Sequence, residues 1–127
     1  MKTKICTSIE QSKKLLELGL DADTADMWYL PIKDTYELVT SPSLTRGIIP
    51  AWSLSALLEL ILDEIKFEGT NCSLELAKDW ISYEGCDAYD ASYRIQPMAF
   101  DKEPLIDLAY KTMCWLIEQG YIKTEKK

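Results

Sequence analysis

Three acidic residues close together, Glu84, Asp87 and Asp90, are the side chains in this sequence whose spacing is best suited to catalysis. They surround Cys86 and lie beside Tyr89. A carboxylate pair can transfer protons in general acid–base catalysis when burial raises the pKa of one member. Acidic residues in a loop are more often solvated turn residues, and that interpretation is the favoured one. The three acids therefore form a secondary candidate site.

A second acidic group, Asp21, Asp23 and Asp26, begins like a calcium-binding loop. Calcium loops of the EF-hand type need further oxygen ligands, a central glycine and a closing glutamate at fixed positions. Those positions are wrongly occupied here, so the sequence predicts helix caps and turns for these aspartates.

The chain contains no histidine, which excludes Ser/His/Asp and Cys/His catalysis within one chain and metal sites built on histidine. It has neither a glycine-rich dinucleotide motif nor a phosphate-binding P-loop. The four cysteines are too far apart in sequence for a Cys-x-x-Cys ligand pair and are expected to be buried, reduced thiols. They are Cys6, Cys72, Cys86 and Cys114. No metal and no cofactor are predicted.

The chain of 127 residues carries a net charge of −7 and only two arginines. Binding to a phosphate backbone needs clustered basic residues, so nucleic acid is not an expected partner. No apolar run is long enough to span a bilayer, and the N-terminus lacks the apolar segment of a signal peptide. We therefore expect a cytoplasmic protein without membrane contact. The acidic charge leaves open an inhibitor of a host defence protein that mimics nucleic acid.

Helices are predicted near both ends of the chain. A helix over about 8–18 has two overlapping capping boxes at its start and Gly19 at its end. A helix from about Pro104 has apolar residues at helical spacing and stops at Gly120.

A third helix is predicted from Pro50 to about Ile65, apolar around most of its circumference and therefore central in the core. A narrow polar stripe remains along it. Trp52 falls on the side of that stripe at the first turn, so it is expected to be partly exposed. Trp is frequent at binding hot spots. The candidate interaction surface consists of Trp52, Ser55, Glu59 and Asp63.

Short segments rich in β-branched and aromatic residues predict the strands. They are 27–30, 36–40, 72–76 and 80–84, with 92–95 as a further short strand. The first two segments are expected to pair as one hairpin and the next two as a second hairpin. The expected fold is one α+β domain over residues 1–127, in which three helices pack on a single small antiparallel sheet of four to five strands as one pair of layers.

Several blocks of the sequence carry a family resemblance. They are residues 6–19, 24–27, 50–60, 103–107 and 114–116. In this order they resemble a family of small uncharacterised proteins of gut-bacterial prophages and mobile elements. The resemblance implies an accessory protein that acts inside a bacterium, and it supplies no catalytic residues.

These observations favour a non-enzymatic protein that works by contact with another protein or by self-association. One alternative is a small ligand-binding protein or carboxylate-based enzyme that uses the acids at 84, 87 and 90. Another is the acidic inhibitor of host defence.

Overall fold

The computed structural model of the chain describes residues 5–40, 47–67, 70–77, 80–86, 92–95 and 104–123. Within these residues the chain forms three α-helices, one short 3₁₀ helix and seven strands. The helices are α1 (Ile9–Glu17), α2 (Leu54–Leu60) and α3 (Leu105–Glu118), with the 3₁₀ helix at Ala22–Thr24. The strands are β1 (Met27–Ile32), β2 (Thr35–Val39), β3 (Ile49–Ala51), β4 (Glu64–Phe67), β5 (Thr70–Ala77), β6 (Trp80–Cys86) and β7 (Ser92–Ile95).

Helices α1 and α3 begin and end close to where the sequence predicts. Ser8 and Gln11 form a reciprocal capping box at the start of α1. Both helices end at a glycine with positive φ, 99° at Gly19 and 82° at Gly120, where a side chain would be strained. After each glycine the next amide bonds back to the helix, as in a Schellman motif. No helix in the described part of the chain is both long enough and apolar enough to cross a bilayer.

The first sheet has three strands in the order β2–β1–β3, and its neighbouring strands are antiparallel. Strands β1 and β2 form the predicted hairpin, which turns at Lys33 and Asp34. Pro31 lies inside β1, opposite Tyr36, instead of ending the strand. Because β3 pairs only with residues 27–29 of β1, Pro31 lies where β1 has a partner on one side, as prolines in sheets usually do.

The second sheet has four antiparallel strands in the order β4–β5–β6–β7. Strands β5 and β6 are the predicted second hairpin, and β7 is the predicted short strand. Leu74 lies opposite Tyr83, and Ile81 and Tyr83 both belong to the apolar core cluster, so these alternate residues of β6 face the core. Ser82 between them is buried on the other face. The Tyr83 hydroxyl donates to the carbonyl oxygen of Leu62 at 2.7 Å.

The α+β class is confirmed, but the strands form two sheets of three and four strands instead of one sheet of four to five. Helix α3 packs against α2 and β6, and α1 packs against β3. One cluster of buried apolar residues runs from Leu15 to Leu116 and includes side chains of all three helices and of the second sheet. Among the described residues, no side chain of the β1–β2 hairpin belongs to this cluster.

Helix α2 is much shorter than the predicted helix over 50–65. Ser53 caps it, because its side-chain oxygen accepts the amide N–H of Ala56 at 3.2 Å. Residues 49–51 before this cap pair with β1, and residues 64–67 pair with β5. Both ends of the apolar run therefore form strands, one paired with β1 and the other with β5, and only the middle is helical.

Candidate functional site

Trp52 is buried in the core, with 0% of its surface exposed. Its indole Nε1 donates to the hydroxyl of Thr24 at 2.9 Å, and its backbone N–H donates to the hydroxyl of Thr7 at 3.1 Å. The expectation that Trp52 is partly exposed is wrong. A fully covered ring has no area left for a partner, so Trp52 leaves the candidate interaction surface.

The position of Trp52 follows from the segment that holds it. It lies between β3 and α2, so the helical wheel that placed it beside the polar stripe does not apply to it. The N–H of Thr7 donates to its carbonyl oxygen at 2.9 Å, and Cys6 forms an isolated antiparallel bridge with Ser53. The N-terminal segment is therefore bonded to the backbone of the junction between β3 and α2.

The other members of the candidate interaction surface are exposed. Ser55 and Glu59 lie four residues apart on α2, and Asp63 lies beyond the helix in the connection to β4. The stripe is therefore a short polar face of α2 continued by a turn. Such a face is the ordinary solvated side of a helix that packs on a core.

Of the acidic candidates, only Glu84 is among the described residues. It lies in β6, is half-buried, and pairs in register with Ser73 on one side and Arg94 on the other. Asp87 and Asp90 lie outside the described residues. Glu84 therefore lies in a strand and not in a loop. The proximity of the three acids that the sequence suggested stays a prediction, because the other two lie outside the described residues.

The aspartates near residue 21 act as caps and turns. Asp21 caps the 3₁₀ helix by accepting the N–H of Asp23 at 2.9 Å. Asp26 accepts both the N–H and the hydroxyl of Ser53, which ties the start of α2 to β1. Within the described residues, no group of three or more acids or cysteines is arranged to hold a metal ion.

The cysteines with described side chains are buried and reduced, as predicted. Cys6, Cys72 and Cys114 are buried thiols. Burial raises the pKa of the thiols of Cys72 and Cys114, which disfavours the nucleophilic thiolate. These two thiols therefore behave as small apolar core groups.

Two exposed apolar side chains lie on the β1–β2 hairpin, where the sequence did not suggest a site. Among the described residues the exposed large hydrophobic side chains are Ile5, Ile32 and Tyr36, and the last two are 39% and 42% exposed. They lie next to each other along the closed end of the hairpin, on opposite faces. The signal was present, because 27–32 is continuously apolar whereas a hairpin with one solvated face alternates.

A cleft of about 430 Å³ lies on another part of the molecule, beside the C-terminal ends of all three helices. Its apolar walls are formed by Leu20, Leu60, Met113 and Ile122. Polar groups are contributed by Asp21, Thr24 and Lys123. None of these residues belongs to the sites predicted from the sequence, because the cleft is made by helix ends that only tertiary packing brings together.

Comparison with known proteins provides no relative from which a function can be transferred. No family model, no curated protein and no solved structure gave a significant match to the chain. The geometry of the hairpin and of the cleft is therefore the basis for a functional proposal.

Proposed function

We propose that this chain is a non-enzymatic interaction protein and that it self-associates through the β1–β2 hairpin. The observation that carries the proposal is the exposure of Ile32 and Tyr36 at one end of the hairpin. They lie on opposite faces of the hairpin, so each face beside the β2 edge carries one exposed apolar side chain that a second copy can cover. In line with the resemblance to mobile-element proteins, we place its action in the bacterial cytoplasm.

The aromatic part of this surface is held in place. The Tyr36 ring contacts the Tyr29 ring edge to face, with 6.5 Å between the ring centres. The Tyr29 hydroxyl donates to the carbonyl oxygen of Thr7 at 2.8 Å, which anchors the pair to the N-terminal segment. An aromatic side chain that is already ordered loses little entropy on binding and is well suited as a contact residue.

Strand β2 adds an unprotected edge to this surface. It lies at the end of the sheet order, and no described strand pairs with its outer side. Its sequence, 35–39, contains neither proline nor lysine and has one charge, Glu37. Edge strands usually carry proline or charged residues, especially lysine, to prevent pairing with other chains. When β2 of one copy pairs with β2 of a second copy, both copies contribute the same surface to the interface, as in two-fold symmetric dimers.

Catalysis by this chain has little support from its side chains. The sequence has no histidine, and the described thiols whose pKa is shifted are made less reactive by burial. The carboxylate alternative requires Asp87 and Asp90 to lie close to Glu84. Of these three only Glu84 is described, and it does not line the cleft, so the cleft does not support this alternative. The acidic inhibitor depends on exposed acids such as Glu59 and Asp63, which a solvated helix face also explains.

Light scattering and sedimentation of the purified protein test the proposal. We expect a dimer, and we expect Tyr36→Lys and Ile32→Lys each to shift it toward the monomer. Ser55→Lys, at an exposed position on α2, is the matched control that adds the same single positive charge elsewhere and should leave the dimer intact. Circular dichroism checks that each variant is folded.

Salt separates this proposal from the acidic inhibitor. Two copies with a net charge of −7 repel each other, so added salt should strengthen the dimer. Binding of an acidic surface to a basic host protein should weaken with salt instead. A wild-type protein that stays monomeric at every concentration and salt level would contradict self-association.

A further inference from the structure

We propose that the cleft at the helix ends binds a small apolar molecule that carries both an ammonium and a carboxylate group, such as an apolar α-amino acid. This site is separate from the hairpin and does not depend on self-association. A cleft of about 430 Å³ is within the size range of small-molecule sites. It is larger than a single leucine or phenylalanine needs, so water accompanies such a ligand.

The apolar walls select the body of the ligand. Met113 is completely buried, Leu20 is nearly so, and Leu60 and Ile122 are half-buried. An aliphatic or aromatic side chain that covers Leu60 and Ile122 removes apolar surface from water on both sides. A ligand without such a side chain, such as glycine, has nothing to place against these walls.

Two opposite charges select the polar end of the ligand. Asp21 and Lys123 both line the cleft and both are exposed, so their charged groups are available to a molecule that enters from solvent. A carboxylate is the natural partner of an ammonium group, and the Lys123 ammonium is the natural partner of a carboxylate. A molecule with both groups pairs with both residues, whereas a simple amine or acid pairs with one.

The carboxylate side of the cleft is fixed before any ligand binds. The Asp21 carboxylate accepts the N–H of Asp23 at 2.9 Å, which sets its orientation. The hydroxyl of Thr24 donates to the carbonyl oxygen of Asp21 and accepts the Trp52 indole N–H. This chain of hydrogen bonds joins the charged wall to the core. A preformed site loses less entropy on binding than a mobile one.

The test is an NMR titration of the full chain, observing the methyl groups of Leu20, Leu60 and Met113. Leucine and phenylalanine should give saturable shifts of these methyls, and glycine should give none. Isoamylamine and 4-methylpentanoate, which lack one charge each, should bind up to about fivefold more weakly than leucine, the factor that corresponds to a strong solvent-exposed ion pair.

Variants assign the two charges. Asp21→Asn and Lys123→Gln should each weaken leucine binding about fivefold, and asparagine preserves the cap of the 3₁₀ helix. Asp23→Asn, an exposed acid on the same helix that does not line the cleft, is the control and should bind leucine normally. Tyr36→Lys should also bind normally, because the cleft does not require the hairpin contact.

Two results would overturn the inference. The first is the absence of saturable shifts at the cleft methyls with every apolar amino acid up to its solubility. The second is equal binding of leucine and isoamylamine together with equal effects of Asp21→Asn and Asp23→Asn. Either result leaves the hairpin proposal untouched, because that proposal is tested by association state alone.

Discussion

Replacement of Trp52 tests whether its indole is a core group or an interaction residue. The ring is completely buried, and truncating a buried tryptophan to alanine costs about 3–5 kcal/mol. The lost bond to Thr24 adds about 1 kcal/mol, because the half-buried Thr24 hydroxyl can be hydrated afterwards. We therefore expect Trp52→Ala to lower the free energy of unfolding by about 5 kcal/mol, which is a large part of the stability of an ordinary domain. Trp52→Phe keeps most of the ring and should cost about 2 kcal/mol.

Urea unfolding followed by far-ultraviolet circular dichroism measures these losses without relying on the fluorescence of the replaced residue. Ser55→Ala, three residues further on at an exposed helix position, is the control and should change stability by less than about 0.5 kcal/mol. The reasoning is refuted if Trp52→Ala unfolds at the wild-type urea concentration while self-association is lost. That combination would place the indole at a protein contact.

Three further substitutions test particular features of the fold. Gly85→Ala should lower the free energy of unfolding by about 2 kcal/mol or more in the same urea experiment, because the added methyl would overlap the Asn71 carbonyl oxygen; wild-type stability would contradict this close approach. Lys33→Asn should raise the melting temperature slightly, by relieving about 1 kcal/mol of strain at a φ of 54° in the hairpin turn, and a decrease would argue against that turn. Burial, with a contribution from the Asp63 carboxylate, raises the pKa of the Tyr83 hydroxyl, so the unfolded chain loses this proton at lower pH than the folded chain. Wild-type stability is therefore full below about pH 10 and falls by about 1.4 kcal/mol per pH unit for this tyrosine as the pH rises further. Tyr83→Phe should be about 1 kcal/mol less stable at pH 7 and should fall less steeply above pH 10, whereas parallel pH curves would contradict burial of the hydroxyl.

Helices α1 and α3 were predictable because their signals are local. The capping box of Ser8 with Gln11 and the glycines at 19 and 120 define the helix ends through contacts within a few residues. Both hairpins were predictable for the same reason, since each joins two neighbouring segments with strand-like composition. The division of the strands into two sheets could not be predicted, because it depends on whether the edge strands of the two hairpins pair with each other.

The errors around Trp52 have one physical cause. The apolar run from 49 to 67 has helix-like composition throughout, but its two ends pair with β1 and β5. Pro50 fits the first turn of a helix and also fits β3, where it pairs with Trp28. The local pattern could not choose between these roles, so the helix was predicted to start four residues early. The exposure of Trp52 was inferred from that start.

The candidate sites were predictable only in part. The exposed positions of Ser55, Glu59 and Asp63 follow from the polar stripe in the sequence. The apolar exposure of the hairpin is consistent with the absence of alternation in 27–32. The cleft could not be predicted from the sequence, because Leu20, Leu60 and Met113 come together only through the packing of helices that are far apart in the chain.

The hydrogen bond between Thr7 and the backbone of Trp52 has a consequence for the order in which the chain folds. It joins residues 45 positions apart, and closing a flexible loop of that length costs about 3 kcal/mol of chain entropy. Helix α1 and the β1–β2 hairpin need no such closure, so they should form first. Docking of residues 5–8 onto the β3–α2 junction should come late. Until then the backbone of Trp52 lacks its partners in the N-terminal segment, so the amide N–H groups of Thr7 and Trp52 should become protected from exchange later than those of the hairpin.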